Sequence, residues 1–304
     1  MSQQQAIERR SHLDGFAVAT MLVLTVIWGL NTVLSKVSMV GFNPVLMNLL
    51  RSTIASTAIL IWCHWRGIAI FTRDGSLKAG VIVGALFGIE FVLIYAGLDM
   101  TSASRCILMT NTMPFFVMIG AHFMLGERIT PPKLLGIIVA FAGVAVVFFD
   151  KLSLPSPNAL YGDFLSLLGG LAWAATTLAI RKFGLTKVAP EKTLLYQLAG
   201  AVLVALPFLP FSGPLVRNVT WLPVASLLFQ SLIVVAITYV VWFWMISRYP
   251  ATGLTVFTFL SPVFGVMFGG LLLGEPMTVG LFAGLGLVVL GLILVNYKFR
   301  GRMT

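Results

Sequence analysis

Ten runs of roughly twenty apolar residues, separated by short gaps, decide what this chain can become. They fall at about 16–38, 44–65, 78–99, 102–125, 132–149, 160–182, 190–210, 221–247, 252–274 and 277–297. A bilayer core takes about 20 helical residues to cross. Gly, Pro and charged residues fill the gaps, as in "ERITPPK" and "GEPM". Hydrocarbon offers the backbone no hydrogen-bond partners, so runs of this length must be helices. Only 10% of the residues are charged, against roughly 25% in soluble domains. The expectation is an all-α polytopic membrane protein with ten transmembrane helices.

Charge placement orients it. Ten spans return both ends to one side. That side holds Arg9, Arg10, Arg66, Arg73, Lys78, Arg128, Lys133, Arg181, Lys182, Lys187, Lys192, Arg248, Lys298, Arg300 and Arg302. The other side holds Lys36, Arg105, Lys151 and Arg217. Lys and Arg concentrate in cytoplasmic loops. Both termini are therefore expected in the cytoplasm, as tails 1–15 and 298–304, with the chain in a bacterial inner membrane. The net charge of +10 sits singly or in pairs at span ends. It lacks the basic stripe with interleaved aromatics that nucleic-acid surfaces use, so no nucleic-acid partner is expected. The polar start "MSQQQAIERRSHLDG" leads into a full-length span and is not read as a signal peptide.

One segment is written twice. "MTNTMPFFVMIGAHFMLGE" (Met109–Glu127) returns as "FTFLSPVFGVMFGGLLLGE" (Phe257–Glu275). At a spacing of 148 residues, Thr110 matches Thr258, Pro114 matches Pro262 and Gly126-Glu127 matches Gly274-Glu275. Thr130 matches Thr278, Gly136 matches Gly284, and Gly143 matches Gly291. At slightly shorter spacings Trp28 aligns with Trp173, Lys36 with Arg181, and Pro44 with Pro190. Spans 1–5 and 6–10 are thus copies, 16–149 and 160–297. An odd span count turns the second copy upside down. Two inverted-topology five-helix repeats are the architecture with which secondary transporters alternate access around a midplane site. Each proline removes a backbone donor and frees the carbonyl four residues earlier, at Thr110 and Thr258. Pro114, Pro262, Thr110 and Thr258 then mark either gating bends that line a cavity or ordinary kinks eased by the Thr hydroxyls.

These residues also carry a resemblance. "IWGLNTVLSK" (Ile27–Lys36), "LLRSTIA" (Leu49–Ala55) and the long stretch Thr101–Val147 resemble the EamA family of the drug/metabolite transporter superfamily. The second half repeats the pattern with Trp173, "PATGLTVFTFLSPVFGVMFGGLLLGEPMT" and Gly284. The resemblance implies ten helices, cytoplasmic termini and export of small metabolites, amino acids prominent among them. One departure is that Gln197 stands where the second copy of Arg51 would be.

Arg51 and Glu90 are the charges that lie well inside spans. A charge at the bilayer centre costs about 2.5–3.5 kcal/mol on insertion scales, so the two are expected to neutralise one another across spans 2 and 3. Three readings follow: a permanent structural pair, substrate contact, or proton coupling through Glu90. The repeat sets Gln197 opposite Arg51, Thr238 opposite Glu90 and Thr176 opposite Asn31, so polar groups recur at one depth. Gln230, Thr238 and Trp242 share a face of span 8, and Asn48 shares one with Arg51. Asn111, Tyr95, Trp173, Tyr196 and Tyr239 can add amide and aromatic contacts or simply pack. Lys36 can attract an anionic group or snorkel. Glycines 80, 84 and 88, the pair 265 and 269, and the pair 280 and 284 read as close helix contacts, with a monomer or weak homodimer expected.

Other chemistries lack their motifs. No phosphate-binding G-x-x-x-x-G-K-[ST] loop is present. Cys63, Cys106 and the three histidines His12, His64 and His122 are too dispersed for a metal cluster. No G-x-S-x-G or H-E-x-x-H supports a hydrolase. The expectation is a secondary transporter exporting small polar metabolites, without enzymatic activity or cofactor. A drug or lipophilic-cation exporter, or a membrane enzyme or scaffold without flux, are the alternatives.

Overall fold

A computed structural model describes residues 10, 12–101, 103–149, 157–274 and 279–296. The expectations for Arg9, Lys151, Glu275, Thr278, Lys298, Arg300 and Arg302 lie outside the described residues. Among the described residues nine helical stretches are long and apolar enough to cross a bilayer, and Pro131–Val147 is a shorter apolar helix.

The first half runs through α1 (Gly15–Gly41), α2 (Pro44–Arg66), α3 (Leu77–Met100), α4 (Ala103–Thr110), α5 (Met113–Leu125) and α6 (Pro131–Val147). The second runs through α7 (Ala159–Lys182), α8 (Pro190–Ala205), α9 (Trp221–Phe229), a π-helical segment (Gln230–Thr238), α10 (Tyr239–Arg248), α11 (Ala251–Thr255), a 3-10 turn (Val256–Phe259), α12 (Leu260–Leu273) and α13 (Val279–Asn296). Side chains set several ends. Asp14 accepts from the Ala17 amide at 2.8 Å and starts α1. Asn43 accepts from the Val45 amide at 2.8 Å, with Pro44 in the first turn of α2. Gly126 and Gly274, equivalent in the two copies, adopt φ of 73° and 68° and close α5 and α12. A β-carbon is disfavoured in that left-handed region, which explains why glycine precedes both glutamates.

The first and last described residues meet on one face. Leu13 and Asn296 both abut Gly253 at the start of α11, and the Arg10 amide donates to the Arg248 carbonyl at 3.0 Å. On this terminal face Lys192 of α8 binds the 67–76 loop, donating to Asp74 Oδ2 at 2.8 Å and to the Thr72 carbonyl at 3.0 Å. Lys192 leads the interactions that hold the Asp74 carboxyl well below the usual carboxylate range. On the opposite face Asp163 of α7 accepts from Thr101 at 2.7 Å and from Arg105 Nε at 3.1 Å. There too Asn43 joins the 206–220 connection through the Leu215 carbonyl, which accepts its amide at 2.8 Å.

The fourth span is broken. After α4 the residues Asn111 and Thr112 form a turn, and α5 restarts with Pro114 in its first turn. The Thr112 hydroxyl donates to the Met109 carbonyl at 2.6 Å and replaces part of the lost ladder. The ninth span tightens instead. Val256–Phe259 is 3-10 helix just before Pro262, and the Thr258 hydroxyl donates to the Thr255 carbonyl at 2.6 Å. The same proline thus gives a full break in one copy and a tightened turn in the other.

Packing uses the glycines within the chain. A β-carbon at Gly136 would lie 2.7 Å from the Gly291 carbonyl oxygen, and one at Gly143 would lie 2.7 Å from that of Gly284. This seam joins α6 to α13 along their length. Gly80, Gly84 and Gly88 press α3 against Tyr196, Gly200 and Val204 of α8, and Gly265 presses α12 against α1. Large exposed apolar side chains such as Val81, Ile138, Leu203 and Ile293 cover the outside, as lipid requires.

Candidate functional site

A cavity of about 270 Å³ lies between the two halves. Equivalent positions face it from both copies. Trp28, Asn31 and Thr32 of α1 are met by Trp173, Thr176 and Thr177 of α7. Phe91 and Ile94 of α3 are met by Tyr239 and Trp242 of α10. Thr110 and Asn111 at the break of span four are met by Thr258 and Pro262 at the tightened turn of span nine. Phe87, Glu90 and Gln197 complete the polar and aromatic wall together with Val234, Phe243 and Ser261. These residues lie near the middles of their spans, at the depth the repeat predicts.

The breaks shape the wall. Pro114 leaves the Thr110 carbonyl without its usual amide donor. That carbonyl packs against α7, where a β-carbon at Gly170 would approach it to 2.8 Å. Asn111 Nδ2 donates to the Ile107 carbonyl at 2.8 Å, and the Thr110 hydroxyl donates to the Cys106 carbonyl at 2.9 Å. The π-helical segment is the second irregularity. Such i→i+5 turns concentrate at functional sites, and this one ends at Thr238, beside the lining residue Tyr239. Trp28 Nε1 donates to Thr238 Oγ1 at 2.8 Å. The Trp28 ring meets Trp242 and Tyr239 edge-on, with centroids at 5.6 and 6.4 Å.

Of the positions selected from the sequence, Asn31, Glu90, Asn111, Trp173, Thr176, Gln197, Tyr239, Trp242, Thr110, Thr258 and Pro262 line the cavity. Arg51, Asn48, Gln230, Thr238 and Pro114 do not, nor do Tyr95, Tyr196 and Lys36. The Arg51 guanidinium sits behind the wall, 5.2 Å from the centroid of Phe91, and donates to Asn48 Oδ1 at 3.3 Å. The expected Arg51–Glu90 pair is not made: among the described residues no contact within 4.0 Å joins them. Both side chains are buried, and the guanidinium lies over the Phe91 ring and bonds Asn48 instead. Gln230 clips the π segment to α1, accepting from Ser35 at 3.0 Å and donating to Ser38 Oγ at 2.7 Å. Tyr196 meets Ser76 through their hydroxyls at 2.9 Å on the terminal face. Trp28, noted in the sequence only as the copy of Trp173, is a lining residue. Its equivalence to Trp173 was the signal that could have placed it there.

Below the cavity, towards the terminal face, Glu127 ties the two halves together. Its carboxylate accepts from Arg181 Nη1 at 2.5 Å, from the Ala251 amide at 3.0 Å and from the Thr252 hydroxyl at 2.8 Å. Burial pushes this carboxyl up, and Arg181 with the Thr252 and Ala251 donors outweighs it, so it titrates below the usual range.

The profile of the EamA-like transporter family matches residues 15–149 and again 160–297. The chain belongs to this family. EamA-like relatives span it nearly end to end. An "Uncharacterized transporter" of Archaeoglobus fulgidus is 31% identical over 264 residues, covering 84% of this chain and 89% of the relative. "Uncharacterized transporter YoaV" of Bacillus subtilis is 25% identical, covering 92% of this chain and 96% of its own. The "Probable amino-acid metabolite efflux pump" of Escherichia coli is 26% identical, covering 92% and 95%. A solved crystal structure superposes with a TM-score of 0.81 over 93% of this chain and 98% of its own, at 20% identity, so the two share a fold. The protein is therefore a multi-pass membrane transporter of the EamA type, built from two inverted five-helix repeats.

Proposed function

We propose that this transporter exports small polar metabolites, amino acids first among them, across a bacterial inner membrane with both termini in the cytoplasm. The observation that carries the reading is the cavity between the repeats, lined by equivalent residues from both and flanked by the two proline irregularities. Alternating access then consists of movement of the repeats about that cavity, with bends near Pro114 and Pro262. The Glu127 cluster would be the cytoplasmic closure. The volume of about 270 Å³ lies below the roughly 300–1,000 Å³ of drug-sized sites, which favours a metabolite over a bulky drug. The efflux-pump name of the Escherichia coli relative supports the same choice. Glu90 carries protons if transport is coupled, and facilitated diffusion needs no such role. Export of lipophilic cations is the second reading, favoured by aromatic rings around Glu90. The glycine stripes are used inside the chain, which supports a monomer over a glycine-mediated dimer.

Counterflow in liposomes tests the proposal. Purified protein should exchange labelled amino acids from a panel, and a lipophilic cation should compete weakly. Exchange of the cation alone would replace the first reading with the second. An imposed pH gradient that drives accumulation, lost in Glu90→Gln while exchange persists, identifies the proton carrier.

A further inference from the structure

Among the described residues the cavity holds one acid and several polar atoms without partners. Its hydroxyl donors are turned back into the helices: Thr32 to Trp28, Thr176 to Ala172, Thr177 to Trp173, Thr110 to Cys106 and Thr258 to Thr255. The Trp28 indole N–H is taken by Thr238 and the Asn111 amide by Ile107. Four buried polar atoms are left over, three of them acceptors. Glu90 Oε2, Asn31 Oδ1 and Gln197 Oε1 are buried without a partner, as is the Ser261 hydroxyl, and all four side chains line the cavity. Glu90 is the carboxylate there, and no Lys or Arg lines the wall among the described residues. Arg51 is not among the lining residues; its guanidinium lies over the Phe91 ring, 5.2 Å from the centroid.

Buried acceptors without donors are unfavourable, most of all a carboxylate. A ligand that supplies several N–H groups and a positive charge relieves them together. A primary ammonium does so, and charge-assisted bonds of this type are about twice as strong as neutral ones. Aromatic faces add attraction for the same group, and Trp28, Trp173 and Trp242 surround it. A ligand carboxylate finds neutral donors here, the amides of Asn31 and Gln197, the indoles of Trp173 and Trp242 and the Tyr239 hydroxyl, but no lining cation, and it meets Glu90 as a like charge.

We propose that the cavity recognises its substrate by a primary ammonium group held on Glu90, Asn31 and Gln197, and that a substrate carboxylate is dispensable for binding. This rests on the export reading above and names the chemical handle of the same site.

Three probes of one ring and side-chain length separate the groups: tyramine has the amine alone, tyrosine both groups, and 3-(4-hydroxyphenyl)propionate the acid alone. Binding is read as quenching of tryptophan fluorescence, excited at a wavelength the probes do not absorb, with the full chain in nanodiscs. Tyramine and tyrosine should bind within about tenfold of each other and the acid at least tenfold more weakly. Glu90→Gln, checked for an unchanged melting curve, should erase that preference. The ligand series on the unaltered protein stands even if the variant fails to fold. An acid that binds as tightly as tyramine overturns the proposal, and so does absence of binding by all three. Tyramine binding without tyrosine counterflow would sink amino-acid export and leave the ammonium handle standing. Tyrosine counterflow with equal binding of the acid would do the reverse.

Discussion

Arg181 Nη1 lies 2.5 Å from Glu127 Oε1, and the same carboxylate caps the first turn of α11 through Ala251 and Thr252. The pair therefore joins α7 of the second repeat, the end of α5 in the first, and the start of the ninth span. Both side chains are largely buried, 5% and 14% exposed. Removing one partner of such a pair leaves an uncompensated charge and costs about 3–5 kcal/mol. Glu127→Gln should release the terminal face. With the native cysteines replaced, a cysteine at Thr176 should label several-fold faster with an impermeant maleimide applied from that face. Unchanged labelling would mean that Glu127 does not hold the closed state.

The closure has a definite acid dependence. The folded carboxyl of Glu127 titrates below its ordinary value, about 4.3 in an unstructured chain. A depressed pKa contributes stability that is fully present above the unfolded value and is lost as pH falls through the folded one. Normalised to an exposed reference cysteine labelled at the same pH, which removes the thiolate dependence of the reaction, labelling should therefore be flat from pH 8 to pH 5 and rise only below about pH 4. A rise between pH 7 and pH 6 would assign the closure to another group.

Pro114 keeps span four open at Asn111 and Thr112. Pro114→Ala restores the missing donor and lets the helix run through. Helix interiors gain up to about 3 kcal/mol from such a change. The variant should melt at the same or a higher temperature, while its initial counterflow rate falls several-fold. Equal rates would make the break a passive kink.

Thr238→Val removes the acceptor for the Trp28 indole. A buried donor left alone costs about 1–3 kcal/mol. The melting temperature should drop, and tyramine affinity should fall as the Trp28 ring loses its anchor. Thr238→Ser keeps the hydroxyl and should restore both.

Gly170 is where α7 meets the freed Thr110 carbonyl. Overpacking a fitted contact costs about 1–3 kcal/mol. Gly170→Ala should lower the melting temperature by a few degrees and slow transport, whereas Gly15→Ala, with open space around it, should do neither.

The spans and the repeat were legible because hydropathy and the Pro-to-Gly-Glu spacing are local signals. Gly126 and Gly274 announced helix ends for the same reason. The outcome at each proline was not legible. Whether the chain breaks, as at Asn111 and Thr112, or tightens, as at Val256–Phe259, depends on what packs against it. The π segment carried no mark, since its nine residues include neither Pro nor Gly. Arg51 and Glu90 looked like partners because the cost of burial demands compensation. The sequence held no sign that Phe91 would stand beside the guanidinium. Glu127 was read as a punctuation mark in a repeat. Its partners Arg181 and Thr252 belong to the other copy, and a pattern within one copy does not name them.

The α6–α13 seam has a symmetry of its own. Gly136 touches the counterpart of Gly143, and Gly143 touches the counterpart of Gly136. A contact in which each surface meets its own likeness is isologous, the kind a two-fold homodimer makes. One chain thus holds, covalently joined, the kind of antiparallel contact that two identical five-helix units would make. Fusion frees such halves from sameness. A homodimer must present each residue twice, but here one copy keeps Glu90 where the other has Thr238, and one keeps Arg51 where the other has Gln197. A single acid in a pseudo-symmetric chamber is a state that two copies of one sequence could not make.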